Sequence, residues 1–352
     1  MSVVYHERPG VYSDYDASSA SSTTGGRSVV AVAGLCSDED VSGVEMLTSY
    51  AAGAALYGED GGLGKMLKIL YDNGAGVVLA YPVAANTTAA YTAAFTALLG
   101  ENKAAFLVCD STAAAVHAAM KTAVVAASAA RNECIGLVGL SDPTAEQMIS
   151  AAQTLNCERM VLCGPDAKLT ADGSLVGGGY LAAAVAGLLS AQQDPALPLN
   201  GAEVTGIHTV SGGFDETSLD ALVCGGVTVL ETVAGVTSVI RGITTRSLTS
   251  GAADATWREL TTIMIVDEVI PSLRTALRSR FARCKNNRTT RAAIRAQVVL
   301  ELENRVRREV IESYDDLKVT AAENDPTLCL VEFGFTVTHG LSRIYLTAHI
   351  TV

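Results

Sequence analysis

Between residues 28 and 248 the chain alternates short, continuous apolar runs with longer stretches that carry helical spacing. The apolar runs predict strands over 29–35, 77–80, 104–110, 134–138 and 159–163. The intervening stretches predict helices over 63–72, 89–99, 113–131, 144–155 and 179–191. Asn73-Gly74 closes the first of these helices and Gly100 stops the second, as residues that leave the helical region readily do. Strands without polar alternation are buried on both faces. Separated by helices of ~10–15 residues, they predict an α/β fold with a mostly parallel sheet covered on both sides. Residues 227–233 and 238–243 predict a hairpin that closes this layer around Ala234-Gly235.

After Ser250 the pattern changes. Residues 263–281 and 290–311 carry helical periodicity and are joined by Lys285-Asn286-Asn287. Cys329, Val331, Phe333, Phe335 and Val337 then alternate along one predicted strand. Ile344, Leu346, Ala348, Ile350 and Val352 alternate along another, around His339-Gly340. Helices followed by strands, after an α/β block, predict a separate α+β unit. At the other end, Glu7-Arg8-Pro9-Gly10-Val11-Tyr12 precedes a Ser/Thr/Gly tract over 18–26, which buries little and reads as an extended arm on a flexible joint. By composition alone a frayed terminus is the plainer reading. The expected organisation is an arm and linker over 1–27, an α/β domain over 28–248 and an α+β domain over 249–352.

Composition narrows the function classes. At 352 residues and 49% hydrophobic the chain can build real cores, which excludes wholesale disorder. A net charge of −12 argues against a generic nucleic-acid partner. Residues 1–10 lack the basic and apolar regions of a secretory signal, and the apolar run over 180–191 falls short of the ~20 residues that span a bilayer, so no membrane insertion is expected. The eight cysteines are scattered without a CxxC pair, which predicts neither a disulfide framework nor a zinc site and suits synthesis in a reducing compartment.

No catalytic motif survives inspection. Gly64-Lys65 suggests a phosphate loop, but Glu59 and Met66 stand where glycine and a hydroxyl are needed. Asp38-Glu39-Asp40-Val41-Ser42-Gly43 opens like a calcium loop, yet Ser49 replaces the bidentate glutamate at its twelfth position. His208, Ser211 and Asp110 allow a triad to be imagined at unspecific spacing, without a G-x-S-x-G elbow. The expectation is no catalytic residue, no cofactor and no metal.

One electrostatic feature stands out. Residues 271–308 hold eleven of the chain's 25 basic residues against Glu301 and Glu303, so the remainder carries 14 basic against 35 acidic residues. At 100° per residue, Ile270, Leu273, Leu277 and Phe281 form an apolar stripe. Arg274, Arg278 and Lys285 lie on one shoulder of that stripe, Arg280 and Arg283 on the other. A solvated helical face and an acidic partner surface are both open at this point.

The order of features resembles the sheath proteins of contractile phage tails and related R-type bacteriocins. The resemblance is carried by Arg8-Pro9-Gly10-Val11-Tyr12, by residues 199–206 (Leu-Asn-Gly-Ala-Glu-Val-Thr-Gly), and by Gly225-Gly226-Val227-Thr228-Val229-Leu230 with Arg241-Gly242-Ile243-Thr244-Thr245. Asp325-Pro326 and the closing Ile344-Tyr345-Leu346-Thr347 complete it. It implies a subtilisin-like outer scaffold, here without a Gly-Thr-Ser nucleophile segment, and an inner α+β domain with exchanged terminal strands. Val3, Val4, Tyr5, Val11 and Tyr12 at one end, and Ile344, Leu346, Ala348, Ile350 and Val352 at the other, would enter neighbouring subunits. It also implies hexameric rings stacked as a helical sheath around a tail tube, with baseplate and tail terminator as further partners. The setting would be a virion tail or bacteriocin particle assembled in the bacterial host cytoplasm. In that setting Arg274, Arg278, Arg280, Arg283 and Lys285 are the residues expected to face the tube. The reading set against this is a small-molecule α/β enzyme with an unrecognised site.

Overall fold

A computed structural model describes residues 28–36 and 41–343. The first half runs β1 (Val29–Leu35), β2 (Glu45–Leu47), α1 (Tyr50–Tyr57), α2 (Gly62–Asp72), β3 (Val78–Val83), α3 (Thr88–Gly100), β4 (Ala104–Cys109), α4 (Ala114–Ala129), β5 (Ile135–Gly139), α5 (Ala145–Leu155) and β6 (Met160–Gly164). It continues through β7 (Ala167–Lys168), α6 (Gly179–Ala191), β8 (Glu203–Val204), β9 (Thr209–Val210), α7 (Glu216–Cys224), β10 (Val227–Val233) and β11 (Val236–Val239). The last part comprises β12 (Leu248–Thr249), β13 (Ala252–Ala253), α8 (Leu260–Phe281), α9 (Arg288–Arg307), β14 (Ile311–Ala321) and β15 (Cys329–Val337).

A nine-stranded sheet in the order β2-β3-β1-β4-β5-β6-β10-β11-β8 organises the α/β part. From β3 to β10 every neighbouring pair is parallel, while β2, β11 and β8 add antiparallel edges. Successive residues of β1 feed opposite cores: Val30 and Val32 pack on one face, Ala31 and Ala33 on the other. The first core is covered by α2 and α6, the second by α3, α4, α5 and α7. The expected parallel sheet with two helical layers is therefore present.

Within this layer α6 is buried almost all round, leaving only Leu188 and Ala191 outside the buried set. Apolar residues on every side make that position tolerable, and small ones let the helix approach the sheet closely. At its start, a Cβ on Gly139 would fall 2.0 Å from the Gly178 carbonyl carbon, so strand and helix end meet backbone to backbone. The caps follow sequence chemistry. Thr144 accepts from the Gln147 amide while the Gln147 side chain accepts from Thr144, a reciprocal pair that fixes the start of α5.

The C-terminal part departs from expectation in one respect. The helix expected over 290–311 ends at Arg307, and Ile311 opens β14, the antiparallel partner of β15. Alternation along β14 is interrupted by a register shift between Asp315 and Lys318, with Asp316 in the left-handed region at φ 48°, which hides the strand from a period-two reading. The strand segment expected at Ile344–Val352, and the arm over 1–27, lie outside the described residues.

Gly139→Ala is expected to destabilise the protein by about 3 kcal/mol or more, because backbone on both sides must move to admit one methyl group. Urea unfolding should show it as a lowered midpoint with an unchanged slope, whereas an Ala at Gly213, where an added Cβ meets nothing within 4 Å, should change the midpoint little.

Candidate functional site

The α/β layer and the C-terminal elements are joined through α8. One face of this helix sends Leu260, Ile263 and Val266 into the core beneath the sheet, and the adjacent face sends Ile265, Val269 and Leu273 into a third core with Val298 and Leu302 of α9. A helix with two buried faces has one remaining degree of freedom, a slide along its axis. Two ion pairs remove it. Arg159, immediately before β6, is 1% exposed and donates two bonds of 3.0 Å to the two carboxylate oxygens of Asp267. Two helical turns further on, Arg274 lies 3.3 Å from Glu133, two residues before β5. Burial pushes the Asp267 carboxyl above its ordinary range, against the opposing pull of the Arg159 guanidinium. Both acceptors and donors thus come from the N-terminal ends of sheet strands and from one side of α8.

Beyond this junction α8 and α9 are laced together by polar contacts. Arg280 donates to Gln297, Gln297 donates to Glu301 at 2.9 Å, and Glu301 also accepts from Arg305. Glu268 of α8 then receives Arg308 at 3.0 Å. The turn between the helices is pinned by Asn286, whose side chain donates to the Pro326 and Leu328 carbonyls at 2.9 and 3.1 Å. Asn287 caps α9 by accepting from the Thr290 amide at 2.9 Å.

These contacts sort the five basic residues expected to face a partner. Arg274 is committed to Glu133 and its side chain is only 14% exposed, so it is a junction residue. Arg280 bonds Gln297 while remaining exposed. Arg278, Arg283 and Lys285 are exposed and form no ion pair among the described residues. The helical wheel that grouped Lys285 with Arg274 and Arg278 is corrected here: α8 stops at Phe281, and Arg283 and Lys285 belong to the turn. Arg278, Arg283 and Lys285 therefore form a basic tip rather than two shoulders of one helix.

The same end of the molecule carries the β14–β15 ribbon. Its inner face packs Tyr314, Leu317, Val331, Phe333 and Phe335 on the third core. Both long edges are unpaired with any other strand among the described residues. Isolated two-stranded ribbons are marginal in water, and open edges are templates for another chain.

The groups that suggested chemistry are used internally. Asp110 accepts from the Leu35 amide at 2.9 Å and from the Tyr91 hydroxyl, and burial raises its pKa. Ser211 accepts from the Asp166 amide at 3.1 Å instead of meeting His208. Asp166, fully buried, accepts from the Ala167 and Gly177 amides at 2.6 Å each and from the Asp142 amide at 2.8 Å, tying three loops together. The imagined triad is not assembled. None of the eight cysteines forms a disulfide, and no cluster of metal-ligating side chains occurs among the described residues. No helix among them is long and apolar enough to cross a membrane. Sequence reasoning missed Glu133 and Asp267 as organising residues, since neither belongs to a local motif.

Comparison with known proteins identifies what this arrangement belongs to. A family model described as the phage tail sheath protein central domain matches residues 84–245, and one described as the phage tail sheath C-terminal domain matches residues 252–351. The fold matches the helical sheath of the anti-feeding prophage in its contracted state with a TM-score of 0.74 at 15% identity, covering 98% of this chain and 99% of that one. It matches the PVC sheath of an extracellular contractile injection system, also contracted, with a TM-score of 0.73 at 13% identity over 99% of each chain. The sheath tail protein from Desulfitobacterium hafniense gives 0.69 at 12% identity, over 93% of this chain and 100% of that one. No curated protein sequence matches. The class defined here is a structural subunit of contractile assemblies, not an enzyme. The chain belongs to the phage tail sheath family.

Asp267→Ala is expected to cost about 3–5 kcal/mol, since it leaves the Arg159 guanidinium buried without its carboxylate. Replacing both partners, Arg159→Met with Asp267→Leu, should recover most of that loss in chemical denaturation. A single variant as stable as the parent would show that the pair does not hold α8 in place.

Proposed function

We propose that this chain polymerises as stacked hexameric rings around a tail tube, forming a helical sheath whose contraction drives the tube through a target envelope. The observation that carries this reading is the β14–β15 ribbon, whose two open edges are the kind of surface that a neighbouring chain completes. The expected arms supply the strands: Val3, Val4, Tyr5, Val11 and Tyr12 from one end and Ile344, Leu346, Ala348, Ile350 and Val352 from the other. In this reading the outer domain spans 28–248 as a subtilisin-like scaffold and the inner domain 249–352. The two sheath family models, central and C-terminal, support that division. Baseplate and tail terminator chains are its partners at the ends, and the particle is a phage tail or headless bacteriocin assembled in the host cytoplasm. Matches to the anti-feeding prophage baseplate support the first of these partners.

Contraction in this reading draws on the lattice itself. An extended arrangement relaxing to a better packed one is a rigid-body transition between two packings, with the joint over 18–26 absorbing rotation while strand pairs persist. The basic tip holds the tube. Exposed ion pairs are worth only ~0–1 kcal/mol each and are screened by salt, so many repeated around a ring give cumulative hold and easy release. Arg278, Arg283 and Lys285 fit that role, with Arg280 beside them and Arg274 holding the helix that presents them.

Deleting residues 2–12, or residues 345–352, is expected to abolish tubes in negative-stain microscopy while circular dichroism shows the α/β layer still folded. Normal tubes from both truncations would sink the strand-exchange reading. Reversing Arg278 and Lys285 to Glu should leave sheath-only tubes intact and prevent assembly on the tail tube. Loss of the sheath-only tubes would place this contact between sheath subunits instead.

A further inference from the structure

The outward face of the β14–β15 ribbon is covered by no element among the described residues, and its charge is one-sided. Asp315 and Asp316 of β14 and Glu332 of β15 are exposed there. The one cation among them is Lys318, 3.6 Å from Asp316. The register shift at Asp315–Lys318 adds to the effect, because it turns two consecutive carboxylates to solvent where a regular strand would turn one inward. The complementary charge lies on α9. Arg288 and Arg295 are exposed and form no ion pair among the described residues. Seven residues apart on a helix, they lie on one side and ~10 Å from each other. Asp315 pairs with Gly334, two residues along the strand from Glu332, so these two carboxylates share the outward face.

We propose that the acidic outer face of this ribbon docks on the Arg288–Arg295 side of α9 in a second copy of the chain. One copy cannot satisfy both surfaces itself, because the ribbon's inner face already packs on the third core, which contains α9, and its outer face points away. The contact is heterologous, joining different patches on the two copies, so it propagates from copy to copy instead of stopping at a dimer. It is separate from strand exchange, which uses the edges of the ribbon, and from the tip formed by Arg278, Arg283 and Lys285. It rests on the self-assembly reading above and adds which faces meet.

The test uses the full chain in three variants: Asp315→Lys with Glu332→Lys, Arg288→Glu with Arg295→Glu, and all four together. Polymer formation is followed by sedimentation and negative-stain microscopy, and folding by thermal melts of unassembled protein. Each reversed pair is expected to raise the concentration needed for polymerisation by about tenfold, the equivalent of two or three exposed ion pairs. The fourfold variant is expected to return close to the parent. If either reversed pair lowers the melt, the neutral versions, Asp315→Asn with Glu332→Gln and Arg288→Gln with Arg295→Gln, take its place with the same direction of effect expected. Polymerisation of both reversed pairs at the parent's concentration overturns the proposal, as does a fourfold variant no better than either pair. A parent chain that never polymerises overturns the sheath reading and this contact with it, whereas insensitive variants of a polymerising parent overturn the contact alone.

Discussion

The bidentate bond between Arg159 and Asp267 fixes the relation between the two halves of the molecule. Apolar contacts alone would let α8 slip by a turn, exchanging one set of leucines and valines for another at modest loss. A guanidinium and a carboxylate with almost no access to water allow no such slip, because one turn out of place each is left buried and unpaired, a penalty of several kcal/mol. Arg274 and Glu133 repeat the constraint two turns along. With α8 fixed, the position of α9 follows from the third core, and the ribbon and basic tip follow from α9 and Asn286.

Charge is used differently inside and outside this frame. Inside the C-terminal part, Arg280, Gln297, Glu301, Arg305, Glu268 and Arg308 form a continuous seam between the two helices, which absorbs a share of the basic excess. What remains exposed is sorted by element, with cations on the helices and their turn and carboxylates on the ribbon. Such sorting within one small unit leaves it polar from side to side, and a polar unit has a preferred orientation toward its own copies.

The α/β layer was legible in the sequence because its strands are buried on both sides, so their apolar runs are unbroken, and because glycine and asparagine close the helices between them. The boundaries of α6 coincide with those read from sequence, where three glycines precede it. Short or low-contrast elements were not legible: α1 is a run of small residues, and α7 follows a loop without apolar periodicity. β14 was hidden by its bulge and its outward carboxylates, which break the alternation of a half-buried strand, so no element was expected over 312–321. At the site, the helix end at 281 was read correctly, but Arg283 and Lys285 were still placed on its wheel, because nothing local announces that Asn286 is held by carbonyls of the ribbon turn. The burial of Arg274 was equally hidden, since its partner lies 141 residues away.

The open ribbon edges have a consequence for any finite stack of such subunits. A row of amide and carbonyl groups that is satisfied by the adjacent copy is satisfied everywhere except at the last one. Translation along the stack moves this deficit but never cancels it, so each end exposes a complementary, unpaired register of backbone groups. A stack of defined length is thus chemically directional, with two unlike ends. Under the strand exchange proposed above, each end would call for a different terminating chain, one that donates a strand without offering an edge in return and one that offers an edge without donating a strand.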